Sequence, residues 1–161
     1  MTNSSFSAPI DDRYFEEYVD GAVHDFGPIA VKESEVVDFA KRFDPQPFHM
    51  NPELAKHSIY GGLIASGWHS ASLMMRLFVE HYLSHVASLG SPGVDELRWL
   101  KPVRPGDTLR LSATVLESAP SGKQANRGTV LFRWDTLNQN GEVVLSMRGR
   151  QMFLRRAPAP V

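Results

Sequence analysis

The sequence predicts an α+β fold, an antiparallel sheet wrapped around one long central helix. Three observations carry that expectation. Helix signals crowd residues 34–90, strand signals fill residues 95–154, and turn sequences short enough for hairpins join the strand runs. Segregation of helices from strands along a chain is the mark of α+β architecture.

The first strand is placed within 18–31, on Val19, Val23, Phe26, Ile29 and Val31, although Gly21, Gly27 and Pro28 interrupt it. Ser34 reads as a helix N-cap, with Glu35 in the first turn, where the helix dipole favours an anion. Val36, Phe39, Ala40 and Phe43 follow at the spacing of one helical face. The pairs Asp44-Pro45 and Gln46-Pro47 stop this helix, because a residue before proline is driven out of the α region. Asn51-Pro52 opens a short second helix, with Asn as cap and Pro at the first helical position. Tyr60-Gly61-Gly62 breaks the chain again. A long helix is expected over residues 67–89, ended by Gly90. Its first half is apolar on most sides (Ala71, Leu73, Met74, Met75, Leu77, Phe78) and should be deeply buried.

Four strands follow. Residues 95–103 lead into Arg104-Pro105-Gly106-Asp107, where Pro and Gly suit the centre of a type II turn. Leu109, Leu111, Ala113 and Val115 alternate, as do Val130, Phe132 and Trp134. Asn140-Gly141 signals a hairpin, and a last strand runs to about Leu154. Residues 1–14 read as a flexible arm, 15–154 as a single domain and 155–161 as a Pro-rich flexible tail.

Composition narrows the function. Apolar residues make up 42% and charged residues 22% of the chain, which suits a globular protein. A formal net charge of −1 gives no reason to expect nucleic acid. With no Cys, disulfides, Cys-ligated zinc and a thiol nucleophile are excluded. The most apolar stretch, residues 63–79, is broken by Ser66, His69, Ser70, Ser72 and Arg76, so no membrane span is expected. No basic, then apolar leader is visible, and the expected compartment is the cytoplasm.

Two constellations carry chemistry. Asp44 and His49 flank Pro45-Gln46-Pro47-Phe48, and the prolines stiffen the path between them. A carboxylate and an imidazole held over one small volume can activate a water. Local chemistry alone fits a helix-ending loop at least as well, with Asp44 capping backbone amides. The second constellation is the segment from Tyr60 to Gly67 at the head of the long helix. Unpaired amides there carry partial positive charge, and Gly67 lets a ligand approach the backbone. Such a place can stabilise an enolate-like oxygen, although glycines also serve turns.

Other polar residues read more plainly. His81 and His85 have the i, i+4 spacing of two metal ligands, but the Glu expected after the first His is Tyr82, so no metal is expected. His69 lies near the helix start and reads as a core or capping residue. His57 is expected at the surface. Arg148 and Arg150 share a strand face, with Arg98 and Lys101 near another; they could meet phosphates of a charged substrate, but read first as solvated strand residues. No G-x-S-x-G nucleophile elbow is present.

With these residues in hand, the chain resembles the MaoC-like dehydratases, the hotdog-fold group that includes (R)-specific enoyl-CoA hydratases. That family's motif runs D-x-N-P-x-H-x-D, then an A, then F-G-x-x-I-A-H-G. Here it appears as Asp44-Pro45-Gln46-Pro47-Phe48-His49-Met50-Asn51, then Ala55, then Tyr60-Gly61-Gly62-Leu63-Ile64-Ala65-Ser66-Gly67. Residues 97–107 are similar to the strand and turn after the central helix. The resemblance implies a hotdog sheet around the helix, and reversible hydration of a 2-enoyl thioester of CoA or acyl carrier protein. It implies that Asp44 and His49 bind and activate the water, and that the Gly67 N–H holds the thioester oxygen. Gly62, Ile64, Ala65 and Ser66 would bind substrate. It implies a homodimer or higher homo-oligomer, and no cofactor is expected. Gln46, Asn51 and Ser66 depart from the pattern, standing where the family has Asn, Asp and His. A hotdog thioesterase and a non-catalytic acyl-thioester-binding subunit are the alternatives.

Overall fold

The computed structural model describes residues 3–157; the end of the tail, residues 158–161, lies outside the described residues. Its core is a five-stranded antiparallel sheet in the order β1-β3-β4-β5-β2. The strands are β1 (Val23–Ala30), β2 (Gly93–Trp99), β3 (Thr108–Pro120), β4 (Arg127–Leu137) and β5 (Val143–Leu154). The helices are α1 (Glu33–Phe43), α2 (Pro47–Met50), α3 (Pro52–Lys56) and α4 (Gly67–His81).

Alternation decides which face of the sheet is buried. Leu109, Leu111, Ala113 and Val115 of β3 line up with Phe132 and Trp134 of β4 and Leu145, Met147 and Phe153 of β5, all buried. α4 covers this face with Leu73, Met74, Leu77 and Phe78. Four buried aromatic rings, Tyr18, Phe78, Tyr82 and Phe132, meet edge to face, tilted or stacked between helix and sheet. Burying side chains of this size is the largest favourable term available, roughly 1.5–3 kcal/mol each. Register shifts at Val94/Glu96, Val115/Glu117 and Thr136/Leu137 are bulges, which bend a sheet around what it covers.

The turn signals are borne out. Gly106 has φ +91° and the Asp107 N–H donates to Arg104 O at 3.0 Å, as a type II turn requires. Gly141 has φ +75° in the β4–β5 hairpin, where the Asn138 side chain accepts from the Glu142 N–H.

Several element boundaries differ from the sequence reading. Lys32, not Ser34, stands at the N-cap of α1, so this helix begins without a side-chain cap. Phe43 is 64% exposed, its ring tilted against Phe39 beyond the buried face formed by Val36 and Ala40. α4 stops at His81, eight residues earlier than expected. Tyr82 is fully buried in the aromatic cluster, and both Tyr82 N–H and Leu83 N–H donate to Phe78 O. The following residues are held by other partners: Ser84 Oγ donates to Arg13 O, and Leu89 N–H donates to Met152 O. Tertiary hydrogen bonds therefore replace the helical ladder that periodicity alone predicts. Within α4, Trp68, Met75 and Val79 are exposed. β2 runs from Gly93 to Trp99, starting and ending earlier than expected.

Residues 3–14 lie against the body of the protein. Ser4 N–H donates to Val23 O, Phe6 stacks on His24, and the buried Arg13 donates to Tyr82 O. Arg155 and Arg156 pair with Glu16, Asp12 and Glu17. Among the described residues no helix is long and apolar enough to cross a membrane.

Candidate active site

Asp44 is the first residue after α1, and its N–H still donates to Ala40 O at 2.9 Å. Pro47 then starts the single turn α2, which carries His49, so the imidazole sits on a helical turn rather than on an extended loop. Asn51 caps α3, its side chain accepting from Glu53 N–H and Leu54 N–H. This double cap anchors the far end of the His49 turn.

The segment before α4 locks onto that turn. Ile64 N–H donates to Phe48 O at 3.1 Å, and His49 Nδ1 lies 2.9 Å from Ile64 O. A carbonyl oxygen only accepts, so Nδ1 carries the hydrogen and Nε2 is the ring nitrogen turned toward Asp44. Nε2 stands 3.3 Å from Asp44 Oδ2. Both side chains are largely shielded, with 7% of His49 and 20% of Asp44 exposed.

Two donors hold the Asp44 carboxylate. Ser66 Oγ donates to Oδ2 at 2.7 Å, and Gln46 Nε2 donates to Oδ1 at 2.7 Å. Burial pushes the Asp44 carboxyl upward, but these hydrogen bonds and the adjacent His49 outweigh it and hold the group below its ordinary value. Asp44 is therefore charged at neutral pH.

Gly67 is the first residue of α4, whose first turn receives no side-chain cap. The hydroxyl that would normally cap it, on Ser66, is committed to Asp44. The leading amides of a helix have no intrahelical acceptor and carry its positive dipole end. Gly67 must be glycine for a local reason. A β carbon there would lie 2.4 Å from Cε2 and 2.5 Å from Nε1 of Trp99.

Asp44, His49, Ile64, Ala65 and Gly67 all line one cavity of about 460 Å³. Its apolar wall includes Phe48, Trp99, Val103 and Val144. Gly62 and Ser66 do not line it: Gly62 packs beside the Arg104 guanidinium, and Ser66 is fully buried beneath Asp44. His69 is also absent from the cavity wall. It is buried and stacked on Phe39 at 5.0 Å, and burial pushes its pKa down. His85 falls beyond the end of α4, so the i, i+4 relation to His81 is lost. Arg98 pairs with Glu96 and Arg150 with Asp95, while Lys101 lines the cavity and pairs with Glu142.

The sequence reading missed Trp99 as a wall residue and Ser66 as the partner of Asp44. Strand periodicity places Trp99 but not the ring's approach to Gly67. The Ser66–Asp44 contact spans 22 residues, beyond any local pattern.

Comparison with known proteins bears on the family and the fold. A family profile described as "MaoC like domain" matches residues 15–133. The crystal structure of a MaoC-like dehydratase from Rhodospirillum rubrum is 40% identical and superposes with a TM-score of 0.83, covering 91% of this chain and 99% of that one. A mesaconyl-CoA hydratase from Cereibacter sphaeroides is 47% identical over 81 residues, which is 48% of this chain but only 22% of that longer protein. The (R)-hydratase PhaJ1 from Pseudomonas aeruginosa shares the fold, with a TM-score of 0.69 at 23% identity over 92% of this chain and 94% of that one. The α+β hotdog architecture expected from the sequence is the one found.

Proposed function

Because this chain belongs to the MaoC-like domain family, we propose that its cavity catalyses the reversible addition of water to a 2-enoyl thioester. One observation carries the reading: the Asp44 carboxylate and His49 Nε2, 3.3 Å apart, share a cavity with the first amide of α4.

In its neutral form His49 turns the Nε2 lone pair toward the Asp44 carboxylate, and the two then face the same point of the cavity. A water satisfies both by donating one hydrogen to Nε2 and one to Oδ2, which leaves its own lone pair for carbon. As the new O–C bond forms at the β carbon, the π electrons move through the α carbon to the thioester oxygen. The Gly67 N–H, at the positive end of α4, stabilises that oxygen. One water proton passes to the Asp44–His49 pair and is returned to the α carbon. The product is the 3-hydroxyacyl thioester, and the reverse path is dehydration. Ser66 and Gln46 fix the carboxylate, while Ile64 O fixes the imidazole tautomer. No step calls for a metal or cofactor. Ile64 and Ala65 contact substrate from the cavity wall, and Gly62 and Ser66 support it from behind. The carrier is CoA or acyl carrier protein.

The exposed edge strand β2 supports a homodimer, since an unpaired strand edge invites a second copy.

A panel of 2-enoyl-CoA substrates of increasing chain length tests the reading. Loss of the conjugated-thioester absorbance without release of free thiol is the expected result. Release of free thiol in step with the absorbance loss would identify a thioesterase, because hydrolysis breaks the C–S bond of the same chromophore. Saturable binding with no turnover at any chain length would identify a binding subunit.

A further inference from the structure

We propose that the Trp99 indole N–H is a second donor to the thioester oxygen, working beside the Gly67 N–H. The proposal rests on the hydratase reading above and adds a catalytic group to it.

The geometry begins with the glycine. Cε2, Nε1 and Cδ2 of Trp99 all lie within 2.4–2.7 Å of where a Gly67 β carbon would stand. The indole therefore rests on the α carbon of the residue whose amide faces the reacting thioester. A tryptophan nitrogen is a donor only, and it has a single hydrogen to place. No acceptor among the described residues takes that hydrogen from Trp99. The ring is 47% exposed and lines the same cavity as Asp44 and His49. Trp68 meets it edge to face at 5.2 Å and limits how far the ring can swing outward.

One backbone amide alone is a sparse support for a developing enolate, and oxyanion sites gain from each additional preorganised donor. The head of α4 offers little else. Ser66 gives its hydroxyl to Asp44, and α4 has no side-chain cap. Trp99 Nε1 is a side-chain donor packed directly against Gly67. Trp134, whose Nε1 is also unpaired, is buried in the core beside Phe78 and Phe132 and does not line the cavity. The contact also gives Gly67 a purpose beyond close approach of substrate, because any side chain there would displace the ring.

The test separates donor from wall. Trp99→Phe keeps an aromatic ring and removes the N–H; Trp99→Ala removes both. With the best enoyl-CoA of the panel, Trp99→Phe should lower kcat about a hundred- to a thousandfold, in the range of one lost oxyanion donor. Its Kd for butyryl-CoA, a saturated thioester whose oxygen gains no full charge, should stay within about twofold of wild type. Trp99→Ala should match that loss in kcat and also weaken butyryl-CoA binding. A Trp99→Phe variant with wild-type kcat, or one whose whole defect appears in Kd, overturns the proposal. A second measurement needs no variant. The protein has 3 tryptophans, and in 15N-labelled wild type the Trp99 indole proton should move downfield on adding butyryl-CoA. An unmoved resonance at saturation counts against the proposal. Wild-type protein that hydrates no enoyl thioester sinks the hydratase reading itself, a result distinct from an active wild type with an unaffected Trp99→Phe.

Discussion

Asp44 and His49 show how far single residues can be read from sequence. Their spacing and the prolines between them were legible, because covalent restriction acts locally. What makes them a pair was not. The Ser66 hydroxyl on Asp44 and the Ile64 carbonyl on His49 come from a segment 22 and 15 residues away. Ser66 was expected to touch substrate and instead holds the carboxylate. Another residue, His24, was not singled out at all. It is 3% exposed, stacked on Phe6, and neither ring nitrogen has a partner among the described residues. Burial first, and then the Arg13 charge, push its pKa down to about 4. The folded state therefore binds this proton less readily than the unfolded chain, whose histidine titrates near ~6.5. Stability that is complete above pH ~6.5 should be lost as pH falls through about 4, by up to about 3 kcal/mol. Denaturant unfolding of wild type and His24→Phe between pH 7 and 4 checks this. The gap between the two should change across that window, and parallel curves would show that His24 is not the linked group.

At the scale of elements, caps and turns were legible where one residue does the work. Asn51 is such a case: it serves two amides of α3, which in turn anchors the turn carrying His49. Asn51→Ala should cost about 1 kcal/mol in unfolding free energy. It should also lower hydration activity by loosening His49. A loss of stability with unchanged kcat would uncouple the cap from the site. Element ends set by tertiary contact were not legible. Periodicity carried α4 on to Leu89, but the buried ring of Tyr82 and the Ser84 hydrogen bond to Arg13 O end it at His81. Nothing in residues 82–89 announces those partners, because Arg13 lies in the N-terminal segment and Met152, whose carbonyl takes the Leu89 N–H, lies in β5.

At the scale of the molecule, the order of strands and helices was enough to predict an antiparallel sheet around a helix, because hairpin turns leave few alternatives. The strand order is not written in any local signal. β2 crosses to the far side of β5 and becomes an open edge, with Val94 54% exposed. Pairing of this edge with a second copy is the expected quaternary arrangement. Sedimentation equilibrium should report a dimer, and Val94→Asp should weaken it at least about tenfold by placing like charges across the pair. A wild-type monomer would contradict the arrangement, and a dimer indifferent to Val94→Asp would place the interface elsewhere.

The central claim is that Asp44 and His49 act on one water. It is tested most directly by measuring kcat for enoyl-CoA hydration in Asp44→Asn, His49→Ala and the double variant, each checked for intact fold. Each single change should lower kcat at least about a hundredfold, the worth of one acid–base group. The double variant should lose little more than the worse single one, because groups that act as a unit are not additive. Full activity in either single variant, or losses that simply multiply in the double, would contradict the account.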